Sequence, residues 1–164
     1  MKKKTVSGII CLFIFIFFTA CTQKEEQQKP NFIVIFCDDM GYGDLGCFGS
    51  ELNRTPEIDR MAEEGTCFTS FYVTSGVCTP SRSSLMTGCY PLRVGMDENY
   101  KGYWVLFPGD NKGLHPSEIT IAEILKEQGY STACIGKWHL GDQDPFLRDL
   151  SGVSGQLCYL VCYG

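Results

Sequence analysis

Six consecutive residues, Phe32-Ile33-Val34-Ile35-Phe36-Cys37, are apolar and rich in β-branched and aromatic side chains, and two carboxylates, Asp38 and Asp39, follow at once. A strand without polar alternation has no face to offer water, so the run predicts a parallel strand covered on both sides. The chain's 164 residues and 44% apolar content are enough for one core and argue against disorder. Ligands of open α/β sheets gather beyond the carboxyl ends of the strands, where this Asp pair falls, and a cation would relieve the mutual repulsion of the two carboxylates. An acidic turn into Gly41 and Gly43 accounts for the pair equally well at this point.

Charge narrows the partners. Lys plus Arg is 14 against 19 Asp plus Glu, a net charge of −5, and no basic face is available for a nucleic-acid backbone. The 10 cysteines show no paired spacing, no CxxC pair and no Cys/His zinc pattern. At the N-terminus Lys2-Lys3-Lys4 precedes an apolar run, Val6 to Phe18, too short to span a bilayer and of the length expected for a signal sequence. The run ends at Phe18-Thr19-Ala20-Cys21, which resembles a bacterial lipobox with Phe18 in place of the usual Leu. The expected organisation is a lipoprotein signal peptide over residues 1–20, lipidation at Cys21 with attachment to a membrane, and a polar tether over 21–30. An ordinary cleaved signal is the alternative. Either makes this an exported protein, periplasmic or held at the outer membrane or cell surface.

Further along, Thr55-Pro56 supplies an N-cap and a first-turn proline for a short helix whose stripe is Ile58, Met61 and Ala62 and whose left-handed end is Gly65. Phe68 to Val73 reads as a second strand, with Phe68, Phe71 and Tyr72 in the core. A helix is expected from Cys78, with Pro80 in its first turn and Gly88 at its end. Met96 to Pro116 is loop-like, and its aromatics Tyr100, Tyr103, Trp104 and Phe107 either line a pocket or pack on the domain. Thr120 and Glu123 have capping-box spacing, Ile121, Ile124 and Leu125 share a face, and Gly129 closes that helix. Tyr130 to Ile135 is a parallel strand candidate that delivers Gly136-Lys137-Trp138-His139-Leu140-Gly141 to the same edge as Asp38 and Asp39.

A cysteine at a helix start has a depressed pKa, and Arg82 lies one turn below it on the same face. Cys78 with His139 therefore admits a thiol hydrolase. A loop-P phosphatase is excluded because Cys78 and Arg82 are too close together, and a thiol mechanism leaves Asp38 and Asp39 without a task.

Cys78-Thr79-Pro80-Ser81-Arg82 with Thr87-Gly88 resembles the C-x-P-S-R-x4-T-G signature of type I sulfatases, of the alkaline phosphatase superfamily. Pro30 to Gly49, Thr55 to Thr69 and Glu118 to Gly141 resemble three further blocks of that family, most closely its arylsulfatase A and N-acetylgalactosamine-6-sulfatase branch. The resemblance implies an α/β fold, a mixed and mostly parallel sheet flanked by helices, with residues 31–147 forming the N-terminal part of the catalytic domain. Residues 148–164 depart from the pattern as a divergent tail of frameshifted character, so the chain is expected to be an incomplete fragment, with a non-catalytic remnant as one alternative. A phosphomonoester or phosphonate ester hydrolase of the same superfamily is another.

Carried over by residue, the resemblance implies that a maturase oxidises Cys78 to formylglycine, whose hydrate is the nucleophile toward a sulfated small molecule or glycan. Asp38, Asp39 and the modified Cys78 would bind calcium. Arg82 and Lys137 would hold the hydrate and the sulfate charge, and His139 would take the proton that lets sulfate leave. Two carboxylates and one hydrate oxygen fall short of the 6–8 oxygens calcium typically takes. The chain as given is therefore expected to show no turnover of an aryl sulfate in excess calcium, even when co-expressed with the maturase; hydrolysis above a Cys78→Ala control would overturn this.

Overall fold

The computed structural model describes residues 29–146 and a strand at 158–163. The expected signal peptide, Cys21 and most of the tether lie outside the described residues, as do 147–157 and 164, which hold most of the expected divergent tail. Strand β1 is Phe32–Phe36, followed by 3-10 turns at Tyr42–Asp44 and Gly46–Phe48. Helices α1 (Pro56–Glu64), α2 (Cys78–Thr87) and α3 (Ile121–Glu127) then lead to β2, Ser131–Gly136, and β3 is Cys158–Tyr163. No helix among the described residues is long and apolar enough to cross a membrane.

The strands form one sheet in the order β1-β3-β2, with both pairings antiparallel. This departs from the expected mostly parallel pairing, because β3 lies between the two strands read from sequence. Since β1 and β2 each oppose β3, they run in the same direction. The register sets Phe36 and Gly136 on either side of Cys158, so both strands end at the same level. The Asp38 turn and the Lys137 turn thus leave the sheet at one edge, as the sequence predicts.

The expectation that β1 is covered on both faces fails for its outer residues. Phe32, Ile33 and Ile35 are exposed while Val34 packs against the core, because among the described residues β1 is an edge strand of the sheet. The core joins Met86 of α2, Val94 after it, Met96, Leu106 and Leu114 of the long loop, and Tyr130, Trp138 and Leu140 around β2. The loop's large aromatics Tyr100, Tyr103, Trp104 and Phe107 stay exposed, and its aliphatic residues do the packing.

Three local expectations are corrected. Phe68 to Val73 is not a strand: among the described residues the segment has no neighbouring strand to pair with, and Phe68, Phe71 and Tyr72 are exposed rather than core. Ile58 and Met61 of α1 are exposed as well, and the helix is tied down by polar contacts instead. Thr55 Oγ1 accepts from Gly46 N at 2.8 Å and donates to Asp59 Oδ1 at 2.9 Å, while Asp59 also accepts from Cys47 N at 2.7 Å. Gly65 is extended rather than left-handed (φ −117°); a side chain there would crowd the Met61 carbonyl, with Cβ at 2.9 Å. Gly88 and Gly129 do take the left-handed conformation their positions predict, at φ 68° and 86°.

On α3 the capping box forms as expected, with Glu123 N donating to Thr120 Oγ1 and Thr120 N to Glu123 Oε2. The packed residues are Ala122 and Leu125, with Ile121 and Ile124 turned toward solvent. Where the loop meets the Lys137 turn the backbones are close enough to exclude a methyl group. A Cβ on Gly113 would lie 2.5 Å from Phe146 Cβ and 2.7 Å from Leu140 O. Gly113→Ala is therefore expected to destabilise the protein by about 1–3 kcal/mol, read as a lowered denaturant midpoint at unchanged m-value.

Candidate functional site

α2 is unusual in what it buries. Thr79, Pro80, Ser81, Arg82, Ser83 and Ser84 are all buried, with Met86 the large apolar side chain among the buried residues. Two of its hydroxyls find carbonyls within the helix, Ser83 Oγ donating to Pro80 O at 2.8 Å and Thr87 Oγ1 to Ser83 O at 2.7 Å, while Ser84 Oγ is buried with no partner among the described residues. Cys78 opens the helix, and Arg82 is 3% exposed one turn on.

A buried guanidinium requires compensation. Arg82 donates to Asp38 Oδ1 at 2.9 Å and to the Lys137 carbonyl at 2.9 Å, and its guanidinium carbon lies 5.2 Å from the centre of the Phe36 ring. Lys137 Nζ reaches the other Asp38 oxygen at 2.6 Å and lies 3.2 Å from Cys78 Sγ. Cys78 Sγ is itself 3.9 Å from Asp38 Oδ1. One carboxylate, two cations and a sulfur from β1, α2 and β2 thus meet in a single cluster. Burial alone would raise the Asp38 pKa, but hydrogen bonds from Lys137 and Arg82 and their charges outweigh it and hold the carboxyl below its ordinary range. For Lys137, burial works against the ammonium, yet its bonds to Asp38 and Cys78 raise its pKa.

His139 sits beside this cluster in a left-handed conformation, φ 57°, and Asp39 takes φ 54° at the other turn. Both are non-glycine residues in a sparsely populated region, which places strain at the two turns leading off the sheet. The His139 Nε2 lies 2.8 Å from the Leu106 carbonyl. A carbonyl oxygen only accepts, so Nε2 carries the hydrogen and Nδ1 keeps its lone pair. Nδ1 is buried with no hydrogen-bond partner among the described residues. Burial lowers the His139 pKa, and the nearby Lys137 and Arg82 charges add to that, so the imidazole is neutral near pH 7.

Asp38, Asp39, Cys78 and Ser81 line a cavity of about 590 Å³. Its apolar wall includes Phe68, Phe71 and Tyr72, which the sequence placed in the core, and Tyr42, whose hydroxyl donates to Phe71 O and accepts from Phe71 N. The sequence reading also missed the Leu106 carbonyl as the partner of His139; a main-chain acceptor in an aperiodic loop leaves no residue-type signal. The calcium ligand set is less complete. Among the described residues no three His, Cys, Asp or Glu side chains converge as a metal site, and both Asp38 oxygens are engaged by cations. With only two carboxylates to offer, these residues do not by themselves fit a calcium ion.

Residues 30–146 match the family model described as Sulfatase. The chain belongs to the sulfatase family. It is 51% identical over 114 residues to human arylsulfatase A, covering 70% of this chain and 22% of that protein. Human steryl-sulfatase is 46% identical over 129 residues, covering 79% of this chain and 22% of its own length. An N-acetylgalactosamine-6-O-sulfatase of Bacteroides thetaiotaomicron is 44% identical over 146 residues, covering 84% of this chain and 27% of the relative. This sulfatase-family chain therefore spans about a quarter or less of the length of the relatives it matches. The family implies an alkaline-phosphatase-like α/β fold.

Removing the carboxylate charge from the cluster tests its energetics. Asp38→Asn leaves Arg82 buried against a neutral amide and is expected to cost about 3–5 kcal/mol at pH 7. The Asp38 pKa is depressed in the fold, so its contribution is full above about 3.9 and is lost as pH falls through the folded value. The gap between variant and wild type should accordingly narrow in acid. Denaturant titrations at both pH values check this, and a gap unchanged in acid would exclude the ion pair as its source.

Proposed function

We propose that the cluster is the nucleophile-bearing part of a formylglycine-dependent site that hydrolyses sulfate esters of aromatic or glycan alcohols. The observation that carries this reading is the position of Cys78 Sγ, 3.2 Å from the Lys137 ammonium at the wall of a cavity whose neighbouring Asp38 is held by a buried Arg82. An oxygen-bearing group on the Cys78 β-carbon would find a cation to accept from and a carboxylate nearby, so the residues present fit a formylglycine. When formed there, that group supplies a nucleophilic hydroxyl and a second hydroxyl through which the aldehyde is restored.

The chain's own residues supply the rest. Lys137 holds the oxygen at the Cys78 position and stabilises negative charge arriving with the sulfate. Arg82, itself buried, fixes the orientation of Asp38 and adds positive potential beside it. His139, neutral and with Nδ1 unengaged, accepts the proton released when sulfate departs. Asp38 and Asp39 are the oxygen donors this chain would offer to calcium, with the remaining ligands required from elsewhere. Maturation at Cys78 by a formylglycine-generating enzyme and export as a lipoprotein held through Cys21 belong to the same reading. The relatives described above all carry sulfatase names, which favours sulfate over phosphate esters.

A chimera in which residues 30–146 replace the matching segment of arylsulfatase A, co-expressed with a maturase, tests the assignment. Aryl sulfate turnover is expected, with the Cys78 peptide about 18 Da lighter than the thiol form. Cys78→Ser should allow at most one turnover, and Arg82→Ala should lower kcat by about 10²–10³. Activity with an unmodified Cys78 would overturn the mechanism in favour of a thiol hydrolase.

A further inference from the structure

The Cys78-to-Arg82 motif contains two polar residues that the chemistry above leaves without a task, Thr79 and Ser81, and Thr79 is the one bonded to the residues around His139. Thr79 is 2% exposed. Its hydroxyl accepts from Leu106 N at 3.1 Å and donates to the His139 carbonyl at 3.2 Å. The Leu106 carbonyl in turn accepts from His139 Nε2 at 2.8 Å. These three bonds close a ring: Leu106 is held by its amide to Thr79 and by its carbonyl to the imidazole, and His139 is held by its carbonyl to Thr79. The ring joins the first turn of α2 to a loop residue with no secondary structure and to a residue in a strained left-handed conformation.

We infer that Thr79 is a positioning residue, whose hydroxyl fixes the Leu106 carbonyl where it selects the Nε2–H tautomer of His139 and leaves the Nδ1 lone pair unengaged. A hydroxyl suits the task because it donates and accepts at once, which an apolar side chain of equal size cannot do. The left-handed backbone at His139 is a reason for such a tie, since a residue in that region persists only when its surroundings determine it. This inference rests on the reading of His139 as a proton acceptor.

The experiment uses the full chain and does not involve turnover, so its failure is separate from failure of the sulfatase reading, which the Cys78 peptide mass decides. The sequence holds 2 histidines, which makes imidazole 15N spectra simple to assign with a His115→Gln variant. His115 serves as an internal control, because its Nδ1 is engaged locally by Ser117 and has no link to Thr79. At pH 7.5 the wild type is expected to show His139 as a single Nε2–H tautomer; an Nδ1–H or protonated ring overturns the proposal. Thr79→Ser should keep that signature and a slowly exchanging Leu106 amide. Thr79→Val, folded by circular dichroism, should give averaged His139 nitrogen shifts and a Leu106 amide exchanging at least about tenfold faster, with His115 unchanged. If Thr79→Val does not fold, Thr79→Cys, which keeps the volume and bonds weakly, is read in the same way. A folded Val or Cys variant indistinguishable from wild type overturns the proposal.

Discussion

The buried guanidinium of Arg82 is the constraint around which the described residues are arranged. At 3% exposure it cannot be left to water, and its two strong acceptors, the Asp38 carboxylate and the Lys137 carbonyl, come from the ends of different strands. Bonding one side chain to these two acceptors therefore fixes α2 against the ends of β1 and β2 together. Lys137 completes the balance by engaging the second Asp38 oxygen. The same charges that stabilise this corner hold Asp38 ionised and bring an ammonium to Cys78, so structure and chemistry draw on one set of contacts.

Much of this was legible in the chain because its signals are local or chemically demanding. A proline in a first turn, a glycine after a last turn and a Thr-x-x-Glu box each solve a backbone problem within four residues, and Pro80, Gly88, Thr120 and Glu123 behave as read. The meeting of Asp38, Cys78, Arg82 and Lys137 was foreseeable from motif resemblance and from the placement of two acidic and basic turns at one sheet edge. What failed depends on partners far away in sequence. Phe68 to Val73 has strand composition, but a strand needs a neighbour and none is supplied there among the described residues. Ile58, Met61, Ile121 and Ile124 have helical periodicity, yet which side of a helix is covered is decided by what packs on it. The insertion of β3 between β1 and β2 carries no local mark at all, because a strand's register partner is not written in its own residues.

The long loop shows the same division. Its tyrosines and tryptophan invite a pocket reading, whereas its contribution to the site is a single main-chain carbonyl, that of Leu106, held by buried aliphatic packing on the same core as Trp138 and Leu140. Side-chain chemistry can be read from residue types. Main-chain chemistry has to be seen.

The hydroxyl-rich burial of α2 bears on how such a site tolerates change. A helix seated by alkyl packing moves when a neighbour gains or loses a methylene, because contact there is a matter of filled volume. α2 is instead linked to the rest of the molecule through directional bonds from Thr79 and Arg82 to two carbonyls of one turn, those of Lys137 and His139. Bonds of that kind have a length and an angle and little else to trade. These directional bonds, beside the packing of Met86, set the aim of the sulfur-bearing end of the helix.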